Sequence, residues 1–174
     1  MRKRDPGGPR VGPEVAHYLF NFARADEAKE SALDEASGLL RARMWGIDAA
    51  ERHRDVLAAG DLVLFYLGAP ERKFIGRAEL ASAVHDWTPA EAQVYPGDSR
   101  GGVSLAQVEE WEPPVPMSTV LAHMDPVDKA KADFETGVVR ITGSEYETAL
   151  AVAAGRAARA RSPLRHEREQ PLDE

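Results

Sequence analysis

The stretch from Asp61 to Ser82 restricts the fold more than any other part of the chain. "DLVLFYL" (Asp61–Leu67) is an aspartate followed by an unbroken apolar run, which reads as a strand. "GAPERK" is a turn, and "FIGRAELAS" (Phe74–Ser82) is a second strand with Gly76 inside it, where glycine marks a bulge or a close backbone approach. A turn this short holds no crossover helix, so the two strands read as a hairpin. No helix of the right length separates the other central strands, which argues against parallel βαβ winding. The expected fold class is therefore α+β, a small, mostly antiparallel, partly closed β-barrel with surrounding helices.

The flanking segments fit around that hairpin. "HYLFNFA" (His17–Ala23) has the density of a buried strand. "ADEAKESALDEASGLLRARM" places Leu33, Ala36, Leu39 and Leu40 on one face of a helix, with Gly38 as its weak point. "MWGID" is loop-like and carries Trp45 beside a glycine and an aspartate. "DAAERHRDVLAAG" predicts a second helix, capped by Asp48 and Glu51 and stopped by Gly60. Asp86–Gly102 reads as a long polar loop, "VSLAQVEEWEPPVP" as a strand closed by prolines, "MSTVLAHM" as a short helix and "GVVRIT" (Gly137–Thr142) as a last strand. Ser144 and Glu147 form a capping box for a C-terminal helix. Residues 1–13, with three glycines and three prolines, predict a disordered arm, 14–161 a single domain, and 162–174 a flexible tail.

Charge and composition exclude several classes of function. There is no cysteine, so disulfides and thiolate metal sites are out, in keeping with a reducing, cytoplasmic location. No apolar run reaches the ~18 residues of a membrane-spanning helix. The net charge is −7. Setting aside the nine basic and five acidic residues of 1–10 and 156–174 leaves a body with 13 basic and 24 acidic residues, a net of −11. Such a body does not bind polyphosphate over a broad surface, although a local site remains open to it. Eight of those 13 bases lie between Arg41 and Arg100 against nine acids, which makes that segment the place for an anionic partner to approach.

Catalytic and cofactor signatures are not found. The five histidines lack metal-ligand spacing, Ser99 in "GDSRGG" lacks a nucleophile elbow, and no G-K-[ST] follows those glycines. His85 and Asp86 are adjacent, but neighbours on a strand point to opposite sides, which weakens them as an acid–base couple. No catalytic residue, metal or cofactor is expected.

Four pieces in order carry a resemblance. "WGI" (Trp45–Ile47), "AAGDLVLFY" (Ala58–Tyr66), "FIGRAELASAVHDWT" and "GVSLAQVEEWEPPVPMSTVL" resemble the EVE domain of the PUA-like superfamily, which also includes YTH and ASCH domains. His85 stands where that pattern has a tyrosine, and Trp87 is inserted beside Asp86.

The resemblance implies a PUA-like barrel and a non-catalytic reader that accepts a flipped, chemically modified nucleobase in an aromatic pocket. Nucleic acid is the implied partner, with DNA carrying modified cytosine ahead of RNA, in a restriction or defence setting with a separate nuclease acting alongside. It also implies the site: Trp45 stacking on the base, Gly46, Ile47 and Asp48 offering backbone contacts, Tyr66 as the floor, Trp87 closing the cage and Asp86 accepting a base N–H. Arg43, Arg52, Arg54 and Arg77 would touch flanking phosphates. Two alternatives stand beside it: a small PUA-like (ASCH-type) nuclease or other nucleic-acid enzyme, or a module that binds a small ligand or a protein.

Overall fold

A computed structural model of the chain describes residues 15–22, 31–124 and 137–161. The expected arm 1–13, the tail 162–174 and the first part of the first predicted helix lie outside the described residues. Among the described residues there are seven strands: β1 His17–Phe22, β2 Met44–Gly46, β3 Leu62–Leu67, β4 Lys73–Leu80, β5 His85–Asp86, β6 Gly101–Pro116 and β7 Val138–Ile141. They form one sheet in the order β2-β6-β4-β3-β1-β7, with β5 also paired to β6, and the sheet curls into a half-barrel. Four helices accompany it among the described residues: α1 Ala32–Ala42, α2 Pro89–Val94, α3 Met117–His123 and α4 Gly143–Arg161.

β3 and β4 pair antiparallel, as the hairpin reading requires, with a register shift between Phe65 and Tyr66. One pair departs from the antiparallel pattern. β1 lies parallel to β3, His17 opposite Leu62 through Phe22 opposite Leu67. The chain between them runs through α1 and β2, and that connection supplies the length a parallel crossover needs.

The continuous apolar run of β3 is explained by two cores. Tyr18, Phe20, Val63 and Phe65 point to one face and pack with α1 residues Ala36, Leu39 and Leu40. Leu19, Leu64 and Tyr66 point to the other and pack with Val120 of α3 and Tyr146 and Ala149 of α4. Each fully buried side chain of this size contributes about 1.5–3 kcal/mol. Asp61, itself fully buried, ties the entry of β3 to its neighbours: its carboxylate accepts from the Ala16 amide at 3.3 Å and the Ala58 amide at 3.0 Å.

Several local expectations are corrected. Residues 48–60 form a series of turns instead of a helix, with the Glu51, Arg54 and Val56 amides each reaching back three residues. Only Leu57 of that stretch is buried, and a short helix without a packed face is marginal in water. Asp48 accepts from the Ala50 amide at 2.8 Å, and Gly60 keeps its expected left-handed backbone at φ 94°. "MWG" is strand, not loop, because it completes the edge of the sheet against Gly102–Ser104. The predicted polar loop 86–102 contains α2, opened by a reciprocal box of Thr88 and Glu91. The box that opens α4 is Thr142 with Glu145 instead of Ser144 with Glu147, since β7 ends at Ile141 and the helix starts at once.

Candidate functional site

The edge strand β2 is where the fold leaves room. Trp45 is 5% exposed and wedged among Phe20, Phe22 and Phe65, with ring centres 6.4, 5.9 and 4.6 Å away. Its carbonyl lies so near Gly102 of β6 that a Cβ there would sit 2.0 Å from it, and only a glycine admits the two strands at this spacing. Gly46, the next residue, is covered by the segment that follows α2. A Cβ on Gly46 would meet the Tyr95 hydroxyl at 2.4 Å and Ser99 Cβ at 2.6 Å. The Gly46 amide donates to that hydroxyl at 3.0 Å.

A cavity of about 510 Å³ opens between this segment and β2. Asn21 and Phe22 at the end of β1, Leu39 of α1, and Trp45 and Gly46 form one side. Asp48 and Ala49 lie at the exit of β2, and Tyr95, Asp98, Ser99 and Arg100 form the opposite wall. Its lining combines aromatic surface with two carboxylates, two hydroxyls (Tyr95 and Ser99), one carboxamide and one guanidinium. Burial raises the Tyr95 phenol above its ordinary range, so it stays a neutral hydroxyl, accepting from Gly46.

The wall has a polar support. Trp87 packs between His85 and Tyr95, with ring centres 5.5 and 4.9 Å away, and its Nε1–H donates to the Ser99 carbonyl at 2.9 Å. Ser99 Oγ in turn donates to the Gly101 carbonyl. His85 Nε2 meets the Glu91 carboxylate at 3.0 and 3.2 Å, and Nδ1 meets the Ala83 carbonyl at 3.2 Å.

The structure thus brings together only part of the expected site. Trp45, Gly46 and Asp48 line the cavity. Ile47 is buried in the core beneath, and its amide already donates to the Gly101 carbonyl at 3.0 Å. Tyr66 is fully buried on the opposite face of the sheet, bonded to Met117 sulfur, because it alternates with Phe65 along β3. Asp86 is exposed and opposite Gly101, and Trp87 stands behind Tyr95; neither lines the cavity. Trp45 is itself too enclosed to offer an open ring face, so the half-buried Tyr95 is the more accessible aromatic surface.

The arginines are also redistributed. Arg77 belongs to the far face, where its Nε–H donates to Tyr146 at 2.8 Å and its guanidinium lies 3.7 Å from Glu109. Arg43, Arg52 and Arg54 do not line the cavity, whereas Arg100 does. Tyr95, Asp98, Ser99 and Arg100 escape sequence reasoning because "YPGDSRGG" reads as a turn. The signal that locates them is "TPAE", a helix start with proline at its first position. His85 engages Glu91 rather than Asp86, and no group of three or more metal-ligating side chains occurs among the described residues. No described helix is long and apolar enough to cross a membrane.

No protein-family model matches the chain, and no curated protein matches it significantly. Solved structures do. The YTH domain of Zygosaccharomyces rouxii MRB1, in complex with N6-methyladenosine RNA, superposes with a TM-score of 0.54 at 15% identity, covering 85% of this chain and 92% of that one. The human THYN1 protein, in complex with DNA containing 5-methylcytosine, gives 0.53 at 12% identity over 80% of this chain and 98% of that one. An ASCH protein from Zymomonas mobilis gives 0.51 at 9% identity over 80% and 98%. The fold is PUA-like. At these identities the likeness is one of architecture, and this chain's own residues must carry any functional argument.

Proposed function

We propose that this protein is a non-catalytic reader that takes a flipped, modified nucleobase, with modified cytosine in DNA as first choice, into the cavity between β2 and residues 95–100. The observation that carries the reading is the cavity itself: about 510 Å³, inside the ~300–1,000 Å³ range of small-ligand sites, with aromatic surface and a few convergent polar groups. Two proteins of similar fold, the YTH domain and THYN1, are each in complex with a nucleic acid bearing a modified base. The order of the motifs from "WGI" to "EPP" favours the EVE type among PUA-like domains.

The chemistry is consistent at each step. Extracting a base costs a few kcal/mol, and stacking on an aromatic ring such as Tyr95 returns about 1–3 kcal/mol. Asp98 and Asp48 are acceptors for an exocyclic amino group, and a base that leaves them unpaired is penalised. Among the described residues Arg100 is the basic side chain on the lining, placed to meet a flanking phosphate. With a body of net charge −11, affinity resides in the pocket more than in phosphate contacts.

The test is fluorescence anisotropy with oligonucleotides carrying 5-methylcytosine, 5-hydroxymethylcytosine or N6-methyladenine, each against its unmodified control. Tyr95→Ala and Asp98→Asn are the informative variants. Trp45→Ala is not, because truncating a core tryptophan costs about 3–5 kcal/mol of stability on its own. A preference for one modified oligonucleotide, weakened at least tenfold by Tyr95→Ala, is expected. Equal affinity for all oligonucleotides contradicts the reading.

A further inference from the structure

We propose that His85 is a positioning residue: its imidazolium, bonded through both ring nitrogens, holds the outer wall of the cavity in place. His85 does not line the cavity. It sits on the two-residue strand β5, half-buried, and both of its nitrogens face acceptors. Nδ1 meets the Ala83 carbonyl at 3.2 Å and Nε2 meets the Glu91 carboxylate at 3.0 Å. A neutral imidazole has one N–H and one lone pair, so either tautomer sets a lone pair against one of these oxygens. Only the doubly protonated ring donates to both.

Two chains of contact lead from that ring to the cavity. Glu91 bonds His85 and also accepts from the Thr88 amide at 2.9 Å, which closes the first turn of α2. Tyr95 caps the C-terminal end of α2, and its hydroxyl accepts from the Gly46 amide across the cavity's inner rim. The second chain is aromatic: the His85 ring meets Trp87, Trp87 meets Tyr95, and the Trp87 indole holds the Ser99 carbonyl. The wall thus rests on His85 by hydrogen bonds on one side and by edge-on and tilted aromatic contacts on the other.

The charged groups acting on His85 are few. Glu91 faces it from α2, and Asp86 follows it on its own strand. β6 presents Gly102 and Gly101 opposite β5, with no titratable side chain, and Ser82 contributes only a hydroxyl at 3.4 Å from Nδ1. In keeping with this, the imidazole is held above its ordinary value, chiefly by the Ala83 carbonyl; burial works against this, and Glu91 and Asp86 support it. Glu91 is held below the usual carboxylate range, first by the Thr88 amide and then, against some burial, by His85. A raised histidine stabilises the wall below its unfolded value and loses that contribution as pH rises through its folded value. A depressed carboxylate loses its contribution as pH falls through its own folded value. The wall is therefore firmest between the two titrations and loosens on the alkaline side when His85 gives up its second proton.

The inference rests on the base-reader proposal only for its consequence on affinity, and the wall can be followed without any ligand. The experiment follows His85 Cε1–H by NMR across pH 5 to 9 alongside the exchange protection of the Gly46 amide, in wild type and Glu91→Gln. Expressing exchange as a protection factor removes its intrinsic pH dependence. Wild type is expected to show a His85 midpoint above ~6.5. Its Gly46 protection should fall about fivefold at that same midpoint, the difference between a charge-assisted and a neutral hydrogen bond. In Glu91→Gln the amide oxygen still caps Thr88 and its NH₂ donates to a neutral His85, so the wall stays closed and the step disappears. Gly46 protection without a step, a step at another midpoint, or a step that persists in Glu91→Gln overturns the inference. The affinity of a 5-methylcytosine oligonucleotide, measured over the same range, should fall with the wall. If that oligonucleotide binds at no pH, the reader proposal fails while the exchange data still decide the role of His85.

Discussion

Gly46→Ala tests the packing of the cavity wall on β2. The added Cβ would meet Tyr95 Oη at 2.4 Å, Ser99 Cβ at 2.6 Å and Ser99 Oγ at 2.7 Å, all below contact distance. Tyr95 Oη is the end of a long side chain and can swing, but Ser99 Cβ is fixed to its backbone, so the segment 95–100 must lift. Overpacking of this kind costs about 1–3 kcal/mol. The Gly46–Tyr95 hydrogen bond is lost with it, about 1 kcal/mol more. A total near 2–4 kcal/mol corresponds to a fall in Tm of about 4–16 °C for a chain of this size. Tyr95→Phe alone removes the hydrogen bond and the nearest obstacle together, and costs about 1 kcal/mol. The double variant should therefore be less destabilised than the sum of the two singles by at least ~0.5 kcal/mol, read from urea unfolding in a double-mutant cycle. Additivity within ~0.3 kcal/mol, or an unchanged Tm in Gly46→Ala, refutes the claim that Tyr95 packs on Gly46.

Other substitutions follow from the same geometry. Gly38→Ala adds a Cβ in α1 where nothing lies within 4 Å, so it should stabilise by about 0.5–1 kcal/mol in thermal unfolding. Asp61→Ala strips the acceptor from the Ala16 and Ala58 amides and should cost at least ~2 kcal/mol, with Asp61→Asn milder because one acceptor remains. His17, packed against Tyr146, is held below its ordinary value, first by burial and then by Arg140, against the pull of Glu147 and Asp61. Its protonation therefore opposes folding: stability is lost as pH falls from ~6.5 toward the depressed value, and His17→Gln should flatten that part of the Tm–pH curve. Because the body is acidic and one arginine lines the cavity, oligonucleotide affinity should fall with log salt at a slope of only about −1 to −2; a slope near −6 contradicts a pocket-led mode.

Much of the frame was legible because it depends on burial alone. The run Leu62–Leu67 reads as a strand from its apolar pattern, and the short turn after it gives the hairpin; that two separate cores cover its two faces is seen only in the structure. Local pattern misled where tertiary contact decides. Residues 48–60 carry helix-like spacing and a capping pair but have almost nothing to pack against, so they turn instead. Tyr66 and Trp45 both looked like pocket aromatics. Trp45 packs on Phe65, however, and alternation along β3 then sends Tyr66 to the opposite core. The wall residues Tyr95 to Arg100 owe their place to a fold-back over Gly46, 49 residues before Tyr95, and short-range pattern does not encode that approach. The start of α2 did carry its own signal, "TPAE", within a stretch otherwise dominated by turn residues.

The central claim is that the cavity between β2 and residues 95–100 receives a modified base. Backbone amide NMR on adding a 5-methylcytosine oligonucleotide, with the unmodified oligonucleotide as control, tests it most directly. Shifts are expected to concentrate at Gly46, Tyr95, Ser99 and Arg100, large with the methylated strand and weak with the control. Shifts of equal size with both strands, or shifts centred on Arg77 and Tyr146 of the far face, contradict it.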